Sequence, residues 1–72
     1  MTKQERTKLV DEGKTILRPQ WDQRKNCWKI AKYAKFGGWK RFGGAWYFSS
    51  AQALEKIDMI VYGNPELYVK EG

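Results

Sequence analysis

Histidine is absent from this chain, cysteine occurs once, and no acidic residue lies between Gln23 and Leu54. Without histidine there is neither imidazole general-base catalysis nor a Cys/His zinc site. The single thiol, Cys27, can close no internal disulfide and suits a reducing compartment. No apolar run approaches the roughly 20 residues of a membrane span, and MTKQERTKLVDEG lacks the apolar core of a signal peptide. Together these absences predict a cytoplasmic protein with no membrane partner. Catalytic constellations are missing too. Ser49 and Ser50 have no base partner, the carboxylates form no metal-ligand cluster, and the glycine pairs fit no P-loop. The expectation is a non-enzymatic protein that uses no cofactor.

What the chain does have is rings and cations. Its 72 residues make one domain at most and include four Trp, four Tyr and three Phe. Such side chains bury large areas, which helps a chain too short for an extensive core. The net charge of +6 is concentrated. The acid-free segment holds Arg24, Lys25, Lys29, Lys32, Lys35, Lys40 and Arg41, while the remainder, with seven basic and eight acidic residues, is nearly neutral. Solvated surfaces normally mix the two signs, whereas a block of one sign attracts polyanions.

Thr2-x-x-Glu5 matches a capping box and Gly13 a helix stop, so residues 1–13 are expected to form a weak helix or a mobile arm. Residues 14–72 are expected to form a single α+β domain. Lys14 to Trp21, with Pro19, reads as a short edge strand, and DQRKN as a turn. Asn26 to Phe36 reads as a strand rich in rings. Gly37-Gly38 then suggests a two-residue hairpin, placing Phe36 opposite Trp39 and Lys35 opposite Lys40. Gly43-Gly44 is either a second turn or a bulge that returns Trp46 and Phe48 to the inner face. Ser49-x-x-Gln52 caps the clearest helix, whose stripe is Ala53, Leu54, Ile57, Ile60 and Val61. Gly63 and Pro65 end it, and Leu67 or Tyr68 packs an extended tail on the body. The predicted architecture is a small antiparallel sheet of two to three strands with this helix on one face, together with a short N-terminal helix.

Alternation along a strand would leave Lys29, Ala31, Tyr33, Lys35, Lys40 and Phe42 on the face opposite the helix, with Lys32 and Arg41 pointing inward near the hairpin tip, where the helix no longer covers them. A two-stranded ribbon of this kind fits the DNA major groove. The candidate nucleic-acid-binding residues are Arg24, Lys25, Lys29, Lys32, Tyr33, Lys35, Trp39, Lys40, Arg41 and Phe42. Cations would meet phosphates, rings would shape the platform, and glycines would permit close approach.

The order of elements also resembles a known family. Trp28-Lys29-Ile30, Gly43-Gly44 and the run Phe48-Ser49-Ser50-Ala51-Gln52-Ala53-Leu54 are similar to the amino-terminal arm-binding domains of phage and transposon tyrosine integrases. Plant ethylene-response-type DNA-binding domains share the same three-stranded-sheet-plus-helix plan. The likeness spans roughly residues 15 to 62 and implies a DNA-binding sheet. The leading expectation is therefore a DNA-binding accessory factor of a phage or mobile element, with duplex placed ahead of single strands or RNA. The alternative is a protein-binding modulator whose rings form an interface core.

Overall fold

A computed structural model describes residues 1–71. Helix α1 (Lys3–Asp11) is followed by β1 (Thr15–Asp22), β2 (Cys27–Ala34), β3 (Gly38–Arg41), helix α2 (Ser50–Gly63) and β4 (Tyr68–Lys70). The four strands form one sheet in the order β3-β2-β1-β4. The β1–β2 and β2–β3 pairs are antiparallel, and the β1–β4 pair is parallel. The fold is thus α+β, with a mixed sheet of four strands rather than an antiparallel one of two to three. The additional strand is the tail: Tyr68–Lys70 aligns beside Thr15–Leu17. This pairing moves β1 from the expected edge to the interior. Pro19 fits there because β4 ends below it. The Thr15 N–H donates to the Leu67 carbonyl and the Leu17 carbonyl accepts from the Glu71 N–H. Pro19 is the next β1 residue directed that way, where no strand asks for a donor.

Two pairs of consecutive residues explain the layering. Ile16 and Leu17 on β1 are both fully buried, as are Ile30 and Ala31 on β2. Neighbouring strand residues point to opposite faces, so the sheet centre is covered on both sides. On one side Leu17 and Ile30 pack with Ala53 and Ile57 of α2, ringed by Trp28, Phe42, Tyr47, Ile60, Val61 and Tyr68. On the other side lie Ile16 and Ala31, beneath α1. Burying a side chain such as Leu17 or Ile57 contributes about 1.5–3 kcal/mol.

Both N-caps fall where the sequence predicts, but only α1 closes a full capping box, since the return bond in α2 goes to the residue before the cap. The Glu5 N–H donates to Thr2 Oγ1 at 3.1 Å, and the Thr2 N–H donates to Glu5 Oε1 at 3.3 Å. In α2 the Gln52 N–H donates to Ser49 Oγ at 3.2 Å, while Gln52 Oε1 reaches back to the Phe48 N–H at 3.0 Å. Gly63 is the last residue of α2 and Asn64 the cap, one position beyond the expected stop. No residue of α1 is buried outright. It is held by polar ties: Arg6 donates to both Glu71 carboxylate oxygens at 2.9 and 3.0 Å, and Lys35 pairs with Asp11 at 2.9 Å. Among the described residues, no helix is long and apolar enough to cross a membrane.

Candidate nucleic-acid interface

The β2–β3 hairpin decides where the cations go. Ala34 pairs with Gly38, Tyr33 with Trp39, Lys32 with Lys40 and Ala31 with Arg41. The turn is therefore Lys35-Phe36-Gly37, one residue longer than a two-residue glycine turn. A change of one residue in the turn moves each following side chain to the opposite face. Lys40 and Phe42 consequently lie on the α2 side, with Lys32, whereas Trp39 and Arg41 share the α1 side with Lys29 and Tyr33. Lys29, Tyr33 and Lys35 thus keep the face opposite α2 that alternation predicts, whereas Lys40 and Phe42, expected there, lie on the α2 side, and Arg41, expected to point inward, lies on the α1 side. Phe42 is absorbed into the core cluster, edge-on to Tyr68 with ring centres 5.8 Å apart.

The α1 side is also not open. Tyr33 and Trp39 meet edge to face at 5.3 Å. The Arg6 guanidinium lies 5.6 Å from the centre of each ring, and that of Arg18 lies 3.9 Å from the centre of Trp39. Cation–π contacts of this type are favourable, and here they join α1, β1 and the ribbon. The platform that the sequence offered to a ligand is largely satisfied from within. Lys29 is likewise engaged. Asp22 Oδ2 accepts from Lys29 Nζ at 3.1 Å while Oδ1 accepts from the Lys25 N–H at 3.0 Å. These bonds, the backbone one first, hold the Asp22 carboxyl below its ordinary pKa.

The Gly43-Gly44 segment is neither a tight turn nor a one-residue bulge. The Phe42 N–H donates to the Ile30 carbonyl, and Tyr47 then exchanges two backbone bonds with Trp28, both at 2.8 Å. Two steps along β2 thus face five on the other chain, from Phe42 to Tyr47. The three surplus residues form a loop, after which the chain rejoins the same strand. Tyr47, rather than Trp46 or Phe48, takes the inner position. Phe48 is 90% exposed. Trp46 instead carries the Arg41 guanidinium 4.1 Å above its ring, and Arg41 also donates to the Gly44 carbonyl at 2.8 Å.

The ten candidate residues therefore occupy several surfaces. Arg24 and Lys25 are exposed in the β1–β2 turn, at the end of the sheet opposite the hairpin tip. Lys35 sits at the tip on the α1 side, tied to Asp11. Lys32, Lys40 and Arg41 are exposed on the ribbon and have no carboxylate partner among the described residues. By contrast Glu71, Asp58 and Glu66 lie on or near the β4 edge, where Glu71 pairs with Arg6 and Asp58 with Lys70. The β3 edge thus carries cations without carboxylate partners among the described residues, whereas the Glu71 and Asp58 carboxylates near β4 are matched by Arg6, the amino terminus and Lys70. Two residues outside the candidate set matter here. Arg18 was concealed by the reading of β1 as an edge strand. Phe36, expected in the strand opposite Trp39, is 83% exposed at the tip.

Comparison with protein-family models, curated proteins and solved structures yields no match.

Proposed function

We propose that this protein binds nucleic acid, duplex DNA first, through the tip and edge of the β2–β3 ribbon. The observation that carries this reading is the direct opposition of Lys32 and Lys40 across the two strands. Like charges in that position oppose folding, and no acid among the described residues relieves them. A polyanion would. Lysine does shield an edge strand from unwanted pairing, but a strand of four residues with Lys40 on one face and Arg41 on the other exceeds that need. The resemblance of residues 15 to 62 to integrase arm-binding domains favours duplex over single strands.

The test is fluorescence anisotropy with a generic labelled duplex across a salt series. Wild-type affinity should fall with a log–log slope of about −0.9 for each phosphate engaged. The Lys32→Glu/Lys40→Glu variant should lose binding, and Lys3→Glu/Lys8→Glu on α1 should retain it. Equal binding by the ribbon variant, or a salt-independent wild type, would reject the reading.

A second reading, a protein-binding modulator, is favoured by one observation. Met59 and Tyr62, three positions apart on α2, are 62% and 90% exposed. It requires a salt-tolerant complex with one protein that Tyr62→Glu abolishes and nuclease treatment leaves intact.

A further inference from the structure

We infer that Phe36 is a wedge that enters between base pairs and kinks the bound duplex, an inference that rests on the nucleic-acid reading above. Phe36 is 83% exposed, and its turn lets the ring stand clear of the sheet. Gly37 and Gly38 have φ of 95° and 72°, a left-handed backbone that closes the turn without side chains beside the phenyl group. Cations flank it on both faces. Lys40 folds along the tip, its Cε 3.4 Å from where a Cβ at Gly37 would stand. Lys32 stands directly opposite Lys40 across the two strands, and Lys35, next to Phe36, is on the α1 side, where it pairs with Asp11 at 2.9 Å. An apolar ring ahead of the Lys32 and Lys40 ammonium groups has the composition of a minor-groove insertion: the ring replaces a stacking partner while these cations hold the phosphates beside it.

The same ring could in principle rest in a lipid surface, but the tip does not favour it. Phe36 is followed by two glycines and has no second large apolar side chain beside it in the turn. Interfacial anchoring scales with apolar area, which one ring supplies poorly. Insertion at a base step needs one flat side chain.

The experiment uses the full chain and a duplex of about 30 base pairs, labelled at both ends for energy transfer, with anisotropy measured in parallel. Wild-type protein should bind and shorten the end-to-end distance, consistent with a kink of about 20–90°. Phe36→Ala should bind with the same salt slope but leave the duplex straight. Phe36→Leu, still an apolar wedge, should retain most of the kink. An unchanged thermal unfolding midpoint for both variants checks that folding is intact, as the exposure of the ring requires. If wild type binds without bending, or Phe36→Ala bends as well as wild type, the wedge is overturned while nucleic-acid binding stands. If wild type binds no duplex at low salt, the nucleic-acid reading itself falls, and the wedge with it. Phosphatidylserine vesicles are a third arm. Sedimentation with vesicles that is lost in Phe36→Ala, without duplex bending, would overturn the wedge in favour of a lipid surface.

Discussion

Arg6 and Glu71, 65 positions apart, are joined by two parallel hydrogen bonds of 2.9 and 3.0 Å. The amino terminus adds a third charge 3.4 Å from the same carboxylate. This pair ties α1, which buries no residue outright, to the chain just beyond β4. The Arg6 hydrogen bond is the main cause holding the Glu71 carboxyl below its ordinary pKa, against the opposing effect of burial. A carboxyl with a lowered folded pKa stabilises the fold above its unfolded value, about 4.3 for glutamate. That contribution disappears as pH falls from there toward the folded value. Glu71→Gln should therefore lower the thermal midpoint at pH 7 and have little effect once the pH is below both values. Unfolding followed by circular dichroism between pH 7 and 3 checks this. Parallel curves for the two proteins across the whole range would show that the pair contributes nothing.

The hairpin makes a separate demand on glycine. Gly38 has φ of 72°, and an added Cβ would meet nothing within 4 Å. The cost of Gly38→Ala is then backbone strain alone, about 1–2 kcal/mol. Gly44 also has open space around it but no positive φ. Gly44→Ala should be close to neutral. Because neither position is crowded, denaturant midpoints for the two variants isolate the conformational requirement at Gly38, and equal losses would refute it.

Helix α2 and the approximate place of the first hairpin were legible because their signals are local. Ser49-x-x-Gln52 and the stripe Ala53, Ile57, Ile60 and Val61 state both the start of α2 and its buried side. The face assignment of the ribbon was not legible, because it depends on one residue in the turn. GG marks a turn but does not say whether Gly37 or Gly38 ends it, and that choice sends Lys40 to one side or the other. The tail failed for a related reason. Tyr68–Lys70 is too short to announce a strand, and its partner Thr15–Leu17 lies more than fifty positions away. Once that pairing is known, the adjacent burial of Ile16 and Leu17 makes sense. In the sequence alone it resembles a strand end rather than a strand covered on both faces.

The core can be probed on α2 itself. Ile57 is fully buried, while Leu54, three positions earlier in the same stripe, is 36% exposed. Ile57→Ala should cost about 2–5 kcal/mol, the usual range for deleting a buried branched side chain. For a marginal domain that is a large part of the total. Leu54→Ala should cost far less. Urea unfolding with a common slope for both proteins gives the comparison. A similar loss at both positions would mean that α2 sits rotated from the orientation described.

Asp11 offers a test in which binding should improve. Its carboxylate pairs with Lys35 at 2.9 Å, and both side chains are about half exposed, 55% and 44%. Exposed pairs of this kind add little to stability, so losing the pair should leave the unfolding midpoint nearly unchanged. Its effect on a polyanion is different. The carboxylate occupies one flank of the Phe36 tip, neutralises Lys35 there and repels phosphate. Asp11→Asn removes the negative charge and leaves Lys35 available for one more phosphate contact. Duplex affinity should rise, and the log–log salt slope should steepen by about 0.9. Lys35→Gln should reverse the gain when added to Asp11→Asn, and in the parent it should weaken binding, because it leaves the Asp11 carboxylate unpaired at the tip. Anisotropy titrations of the four proteins at several salt concentrations form a complete cycle. If Asp11→Asn leaves both affinity and slope unchanged, the hairpin tip does not lie at the phosphate backbone.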